Sequence, residues 1–254
     1  MYVVAIYGWR AETPEMVQAL AGALGIMAYE ARQRLIGDGP SVVASFADQQ
    51  QARGVADKVS HYGFKTLIVD AKAARLRGSF FIVRRFKFAD SVLKIESQNG
   101  QQEILPYAEM ELFLTGTSVV GFSETKTIVE KKFSLGKTLL AGGIPMTKKV
   151  ERREETFREE SEQILYLYAH DRPTTVFSLN GVNYDGFAEE IKLSRKLNFS
   201  YLINQLRLHA PGAAFDDRLL NKTNQVRLLG SQGLGGSLDL AAEILAQSLL
   251  ASNE

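Results

Sequence analysis

The 254-residue sequence contains no cysteine, and this absence excludes disulfides, thiol nucleophiles, cysteine-ligated zinc and iron–sulfur clusters. No apolar run reaches about 18 residues, so a transmembrane helix is not expected. The first fifteen residues lack the basic and long apolar regions of a secretory signal peptide. A formal net charge of +1 gives no global attraction to nucleic acid or membranes. We therefore expect a cytoplasmic protein.

Apolar residues make up 45% of the chain and charged residues 23%, a balance typical of folded globular proteins rather than disordered ones. The length corresponds to one or two domains. Local signals divide the chain into a first module at 1–70, a second at 75–220 and a linker with a terminal amphipathic helix at 221–254. The apolar positions of 238–250 predict that helix but leave its docking site open.

Local signals in residues 1–70 predict the order β-α-α-β-α-β. Thr13 before Pro14 predicts a helix start, and Asp48 predicts a second N-cap. Short β-rich segments predict strands at Val3–Tyr7, Ser41–Phe46 and Lys65–Val69. We expect a small three-stranded sheet with helices on one face.

Three strings in this module, LGIMAYEARQRLI, GPSVVASF and ADQQQARGVADKVSHYGFKTLIVD, resemble the C-terminal domain of the bacterial ribosomal stalk protein. The ClpS protease adaptor is similar in fold. The resemblance covers a quarter of the chain and implies a plait fold; the matching positions are Leu24, Gly25, Ile26, Glu30, Ala31, Pro40, Asp48 and Gly63. No Lys or Arg lies between Arg10 and Arg32, so the stalk family's factor-binding surface is not carried over. The acidic pocket of ClpS is not recognisable either.

Residues 75–220 change to strand-like alternation. In Phe80–Phe88, Arg84 falls in one alternating set and Arg85 in the other, while Asn99-Gly100 predicts a hairpin turn. The string LKIESQNGQQEILPYAEMELFLTG resembles bacterial pleckstrin-homology-like proteins. That resemblance implies an antiparallel β-barrel plugged by an amphipathic helix, for which Phe199–His209 is the candidate. The expected fold class is thus α+β, a plait domain followed by a pleckstrin-like barrel with a capping C-terminal helix.

The segment 124–162 carries separated charges. Residues 124–153 hold eight Lys/Arg against three Glu, and 154–162 hold five Glu against one Arg. With Gly136, Gly142, Gly143 and Pro145 as breakers, we expect a flexible charged insertion. Candidate contacts for a protein partner or an anionic ligand are Arg84, Arg85, Lys131, Lys132, Lys148 and Lys149. A solvated loop without a partner is the alternative.

Motifs for catalysis or cofactors are weak. Ser134–Thr138 reads SLGKT, but the first glycine of a nucleotide-binding loop would fall on Lys131. The glycines at 230–236 precede a terminal helix instead of following a first strand, which favours a linker. The three histidines lack metal-ligand spacing. We expect no catalytic residues, cofactor or metal.

These features favour a non-enzymatic adaptor-like regulatory protein that binds a protein partner. A small-molecule sensor and an unrecognised hydrolase or transferase stay open as alternatives. Nucleic acid is disfavoured as a partner because Phe133 alone interleaves the basic stretch as an aromatic. The oligomeric state is left open.

The charge pattern predicts that segment 124–162 is cut by proteases before its flanks. Limited digestion with thermolysin, which does not select for Lys or Arg, followed by mass spectrometry of the early fragments, checks this. First cuts inside 1–70 or 163–209 would contradict the predicted order of stability.

Overall fold

The structure, a computed structural model, describes residues 1–9, 11–75, 80–133, 147–230 and 237–253. At 75, 119–133, 147–160 and 253 it describes the backbone alone. It is a mixed α+β fold with a three-stranded antiparallel sheet, a seven-stranded mixed sheet and packed helices. The chain divides into two compact units, Met1–Ser118 with Gln163–Glu254, and Val119–Glu162. No helix among the described residues is long and apolar enough to cross a lipid bilayer.

The first seventy residues follow the predicted element order. Thr13 and Asp48 are the observed N-caps, and their side chains accept hydrogen bonds from the Met16 and Gln51 backbone N–H groups. The central strand of the sheet is the first one, in the order β2-β1-β3. The elements are β1 Tyr2–Tyr7, α1 Pro14–Leu24, α2 Ala28–Leu35, β2 Ser41–Phe46, α3 Gln49–His61, β3 Lys65–Asp70 and the short α4 Ala71–Arg75.

The rest of the chain forms the larger sheet, in the order β10-β7-β8-β9-β4-β5-β6. Its strands are β4 Phe81–Phe88, β5 Val92–Ser97, β6 Gln102–Pro106, β7 Met110–Phe133, β8 Thr147–Ala169, β9 Thr175–Ser178 and β10 Ala214–Leu219. The helices are α5 Arg195–His209, α6 Lys222–Leu229 and α7 Leu238–Asn253, with 3-10 helices at Tyr107–Glu109 and Asp185–Glu190.

The predicted barrel over 75–220 is not closed. Among the described residues the hydrogen-bonded order ends at β6 on one side and at β10 on the other. The reason is that β10 pairs in parallel with β7 and takes the edge that would have to meet β6 to close a barrel. The amphipathic helix predicted at Phe199–His209 is confirmed as α5, and it buries Phe199, Leu202 and Leu206 against this sheet.

Two short segments beside the larger sheet are irregular. At Val182–Tyr184 the Asn183 N–H donates to the Arg84 carbonyl at 2.8 Å, and the chain then turns into the 3-10 helix that begins at Asp185. Asp216 and Asp217 lie near the end of β10, where the Asp216 carboxylate accepts from the Arg218 backbone N–H at 2.9 Å and from the Arg218 side chain at 2.8 Å. The Asp217 carbonyl accepts from the Leu220 N–H at 2.9 Å and closes a turn there.

Strands β7 and β8 extend through much of segment 124–162, as far as residue 133 and from residue 147. The second compact unit therefore contains their outer portions. The expected breakers Gly136, Gly142, Gly143 and Pro145 lie outside the described residues. The flexibility of the segment stays a prediction.

A β-bulge interrupts the alternation of β4. Val83 pairs with Ser97 and Arg85 with Glu96, so Arg84 is one residue more than the partner strand can match. The bulge resets the phase of the strand, which is why Val83 and Phe86 are both buried while Arg84 and Arg85 are both exposed. The predicted assignment of the two arginines to opposite faces is therefore wrong.

Helix α7 is the centre of the first compact unit. One apolar cluster joins it to Val3 and Ala5 of the smaller sheet and to Leu112 and Ile164 of the larger sheet. Gly116 in β7 leaves room for the α7 residue Leu238, since a Cβ at this glycine would lie 2.6 Å from the leucine Cδ1. On the other side of the smaller sheet, α1, α2 and α3 cover a second cluster. The terminal helix thus packs between two sheets of its own chain.

Because Leu245 of α7 is buried in the cluster that joins both sheets, Leu245→Ala should lower the free energy of unfolding by about 2–5 kcal/mol. Urea unfolding followed by the fluorescence of Trp9 measures this, since that single tryptophan lies in the cluster beyond the smaller sheet. As a control, Gln247→Ala at an exposed position of the same helix should change the free energy of unfolding by less than about 0.5 kcal/mol. An unchanged Trp9 transition in Leu245→Ala would show that the smaller sheet folds without α7.

Candidate functional site

The structure places Arg84 and Arg85 side by side at the bulge, and both are engaged. The Arg84 guanidinium donates to the Gly181 carbonyl at 2.7 Å, and the Arg85 guanidinium lies 3.2 Å from the Glu96 carboxylate. The other predicted contacts, Lys131, Lys132, Lys148 and Lys149, have backbones in β7 and β8, but their side chains lie outside the described residues. Their role as anion contacts stays a prediction.

A groove of about 530 Å³ opens elsewhere, between α2, the outer edge of β2 and α6. Apolar side chains border it in solvent: Tyr29 is 72% exposed, Val226 55% and Ile36 42%. Single exposed apolar residues are ordinary on protein surfaces, but several around one concavity are typical of binding sites. The residues lining the groove are Tyr29, Glu30, Gln33, Arg34, Ile36, Ser41, Val42, Thr223, Val226, Arg227 and Gly230.

The guanidinium of Arg34 gives this groove a cationic centre. Arg34 is half-buried and donates to the carbonyl of Val43 at 2.7 Å, and Val43 is the extra residue of a bulge in β2. The other N–H groups of Arg34 have no protein acceptor among the described residues. Burial lowers the pKa of Arg34, and the negative charge of Glu30 raises it. A desolvated guanidinium with unused donors favours an anionic or carbonyl-rich ligand.

The other charges of the groove compensate that cation only in part. The Glu30 carboxylate caps α2 by accepting from the Met27 N–H at 3.2 Å. On the opposite wall, Arg227 donates to the Asn224 side chain and packs over Gly37, where a Cβ would lie 2.8 Å from its Nη1. Two guanidiniums and one carboxylate therefore face a ligand, with an excess of positive charge.

Helix α6 forms one wall of the groove, at residues for which the sequence predicts a linker. The signals for this helix were nevertheless local. Asn221 is its N-cap and accepts from the Thr223 N–H at 2.8 Å, and Gly230 ends it with a φ of 65°. The buried Gln225 side chain then fixes the helix, because its amide donates to the carbonyls of Thr117 (2.8 Å) and Leu219 (2.6 Å).

A second group of charged side chains lies at the end of β8, but its members pair with one another. Arg172 lies 2.8 Å from Glu109, and His170 lies 3.1 Å from Glu111 and 3.4 Å from Asp171. Among the described residues, no group of three or more His, Asp and Glu side chains could hold a metal ion. These side chains therefore form surface ion pairs, in contrast to the cationic Arg34 in its groove.

No protein-family model, curated protein or solved structure matches the chain.

The hydrogen bond that the His170 ring donates to the Glu111 carboxylate, reinforced by the charge of Asp171, raises the pKa of His170 above its ordinary value. The imidazolium form therefore stabilises the folded state at acidic pH, and this contribution is lost as the pH rises through the raised pKa. An NMR titration of the histidine ring protons should give a lower pKa for His170 in Glu111→Gln than in the unmodified protein. The same pKa in both proteins would contradict the hydrogen bond; His170→Gln assigns the signal.

Proposed function

We propose that this chain is a non-enzymatic interaction protein that binds a segment of a protein partner in the groove between α2, β2 and α6. The groove itself carries the proposal. Exposed Tyr29, Ile36 and Val226 surround the half-buried Arg34 on a concave surface. Aromatic and arginine side chains supply much of the binding energy in protein interfaces. An apolar segment with an acidic side chain would fit both the rim and the guanidinium.

The scaffold supports this interpretation. We propose that residues 1–70 share the plait fold of the ribosomal stalk C-terminal domain and of ClpS, which the strings in the sequence suggest. In this chain, however, the groove is completed by α6, more than 150 residues further along. The proposed site is therefore distinct from the sites of those two families.

The same groove supports a second candidate function, the binding of a small molecule. A volume of about 530 Å³ lies within the range of small-molecule sites in proteins, about 300–1,000 Å³. A metabolite ligand would be expected to raise the melting temperature of the intact chain in the absence of any protein, whereas a peptide-binding groove would not respond to metabolites.

Val226→Glu places a carboxylate on the rim of the groove and should release a partner that the unmodified chain retains. Affinity capture from the lysate of the native host, with the intact protein as bait, provides the partner, and binding is then measured with that purified partner. We expect the loss of a central interface contact to weaken binding by roughly 30-fold, about 2 kcal/mol. Folding of each variant is checked by Trp9 fluorescence.

The matched control is Leu193→Glu, which introduces the same charge at a fully exposed leucine outside the groove. This variant should bind as the unmodified chain does. A third bait, with 124–162 replaced by a short Gly/Ser linker, separates the groove from the basic segment. If the partner is lost with this third bait and retained by Val226→Glu, the proposed groove is wrong and the basic segment is the site.

A further inference from the structure

The outer face of strands β4, β5 and β6 carries two cross-strand rows with different charge balance. In the first row Arg85 pairs with Glu96, and Glu96 with Gln102. In the second row Lys87 pairs with Lys94, and Lys94 with Ile104. A concavity of about 410 Å³ lies over both rows. We call this surface the basic sheet face and define it by these six residues.

The first row is neutralised within itself. The Arg85 guanidinium lies 3.2 Å from one carboxylate oxygen of Glu96, and the Gln102 amide donates to the other oxygen at 3.4 Å. Another carboxylate in the lining, Glu103, is the register partner of the buried Ile95 and so belongs to the opposite face of the sheet. Neither carboxylate is therefore available to the second row.

The second row holds two uncompensated positive charges. Lys87 and Lys94 are both exposed, and neither has a carboxylate partner among the described residues. Side chains directly opposite each other on adjacent strands lie about 5 Å apart at Cβ, and like charges at such positions destabilise the pair. The repulsion between the two lysines thus destabilises the fold. An anion bound between their ammonium groups would remove this repulsion.

We propose that the basic sheet face binds a phosphate-bearing ligand, with the phosphate between the ammonium groups of Lys87 and Lys94. A phosphate monoester carries a charge of about −1.5 to −2 near neutral pH, which matches the two lysines, whereas a single carboxylate would neutralise one of them. Ile104, 54% exposed at the end of the same row, offers an apolar contact to the rest of the ligand.

The surroundings restrict the phosphate to this row. A second concavity, of about 380 Å³, lies on the other side of Arg85 and Lys87 and is also lined by Asn183 and Asp185. The Asp185 carboxylate, held by the Asn183 amide at 2.8 Å, would repel an anion there. The basic sheet face and the groove of the proposed function share no residue, so the two proposals can fail separately.

Thermal unfolding of the intact chain in inorganic phosphate, against chloride at equal ionic strength, tests the proposal. The melting temperature should rise in phosphate. Lys94→Gln should melt higher than the unmodified chain in chloride, because the repulsion is relieved, and its melting temperature should rise much less in phosphate. Lys58→Gln, the same change at an exposed lysine of α3, should respond as the unmodified chain does.

Phosphorus NMR titration then gives the affinity, which should fall about tenfold for Lys87→Gln or Lys94→Gln, the loss of one charge-assisted hydrogen bond. An equal phosphate effect in all variants would show a general salt effect and overturn the proposal. A lower melting temperature of Lys94→Gln in chloride would overturn it as well, because the lysine pair would then not be repulsive. Val226→Glu in the groove should leave the phosphate response unchanged.

Two further arms identify the source of the phosphate. Sedimentation with vesicles of phosphatidylcholine, with and without phosphatidic acid, detects a lipid headgroup, and binding of inorganic phosphate without vesicle binding indicates a soluble phosphate ester. Whichever binding is observed, to vesicles or to inorganic phosphate, must be lost in Lys87→Gln. Binding of an RNA oligonucleotide would overturn the proposal if the salt dependence of its affinity corresponded to many more than two phosphate contacts. Such a result would indicate a nucleic-acid surface.

Discussion

The packing of α7 between two sheets is the constraint on which the rest of the first compact unit depends. Its residues are buried around most of the helix, from Leu240 through Ala241 and Ile244 to Leu245. Small alanines let the sheets approach closely, and the Tyr166 hydroxyl donates to Asp239 at 2.6 Å at the start of the helix. An apolar helix surface is stable in water only where other parts of the protein cover it. Here both covering surfaces are sheets of the same chain.

This arrangement also positions the groove. Helix α6 packs on α7 and on β2, so one wall of the groove depends on the central cluster while the other wall, α2, belongs to the cluster on the far side of the smaller sheet. Arg218 adds a polar link, because it contacts Asp216 in its own strand (2.8 Å) and the Gly39 carbonyl in the loop before β2 (2.7 Å). The proposed binding surface, assembled from distant parts of the sequence, thus rests on elements packed into both clusters, and this packing would limit the entropy lost on binding.

The sequence predicted those features whose causes lie within a few residues. Thr13 and Asp48 cap helices, and Asn99-Gly100 makes a turn, because each signal is a side chain beside its own backbone. The bulge at Arg84 was not predicted, because no glycine or proline marks it. The pairing of β10 with β7 was not predicted either, because strands about a hundred residues apart leave no local pattern in the sequence. For the same reason the apolar stripe of α7 predicted a helix but did not show which elements that helix packs against. The groove that α6 completes could not be predicted either, because its walls are far apart in the sequence.

Native-state hydrogen exchange tests the central role of α7 most directly. Backbone amides of Val3–Ile6 in β1 and of Leu165–Leu167 in β8 lie in different sheets and are all in fully buried positions. If α7 makes both sheets one cooperative structure, the slowest amides of the two strands exchange with the same opening free energy and the same dependence on denaturant. A separate opening of β1, with a lower free energy and a smaller denaturant dependence, would contradict the account.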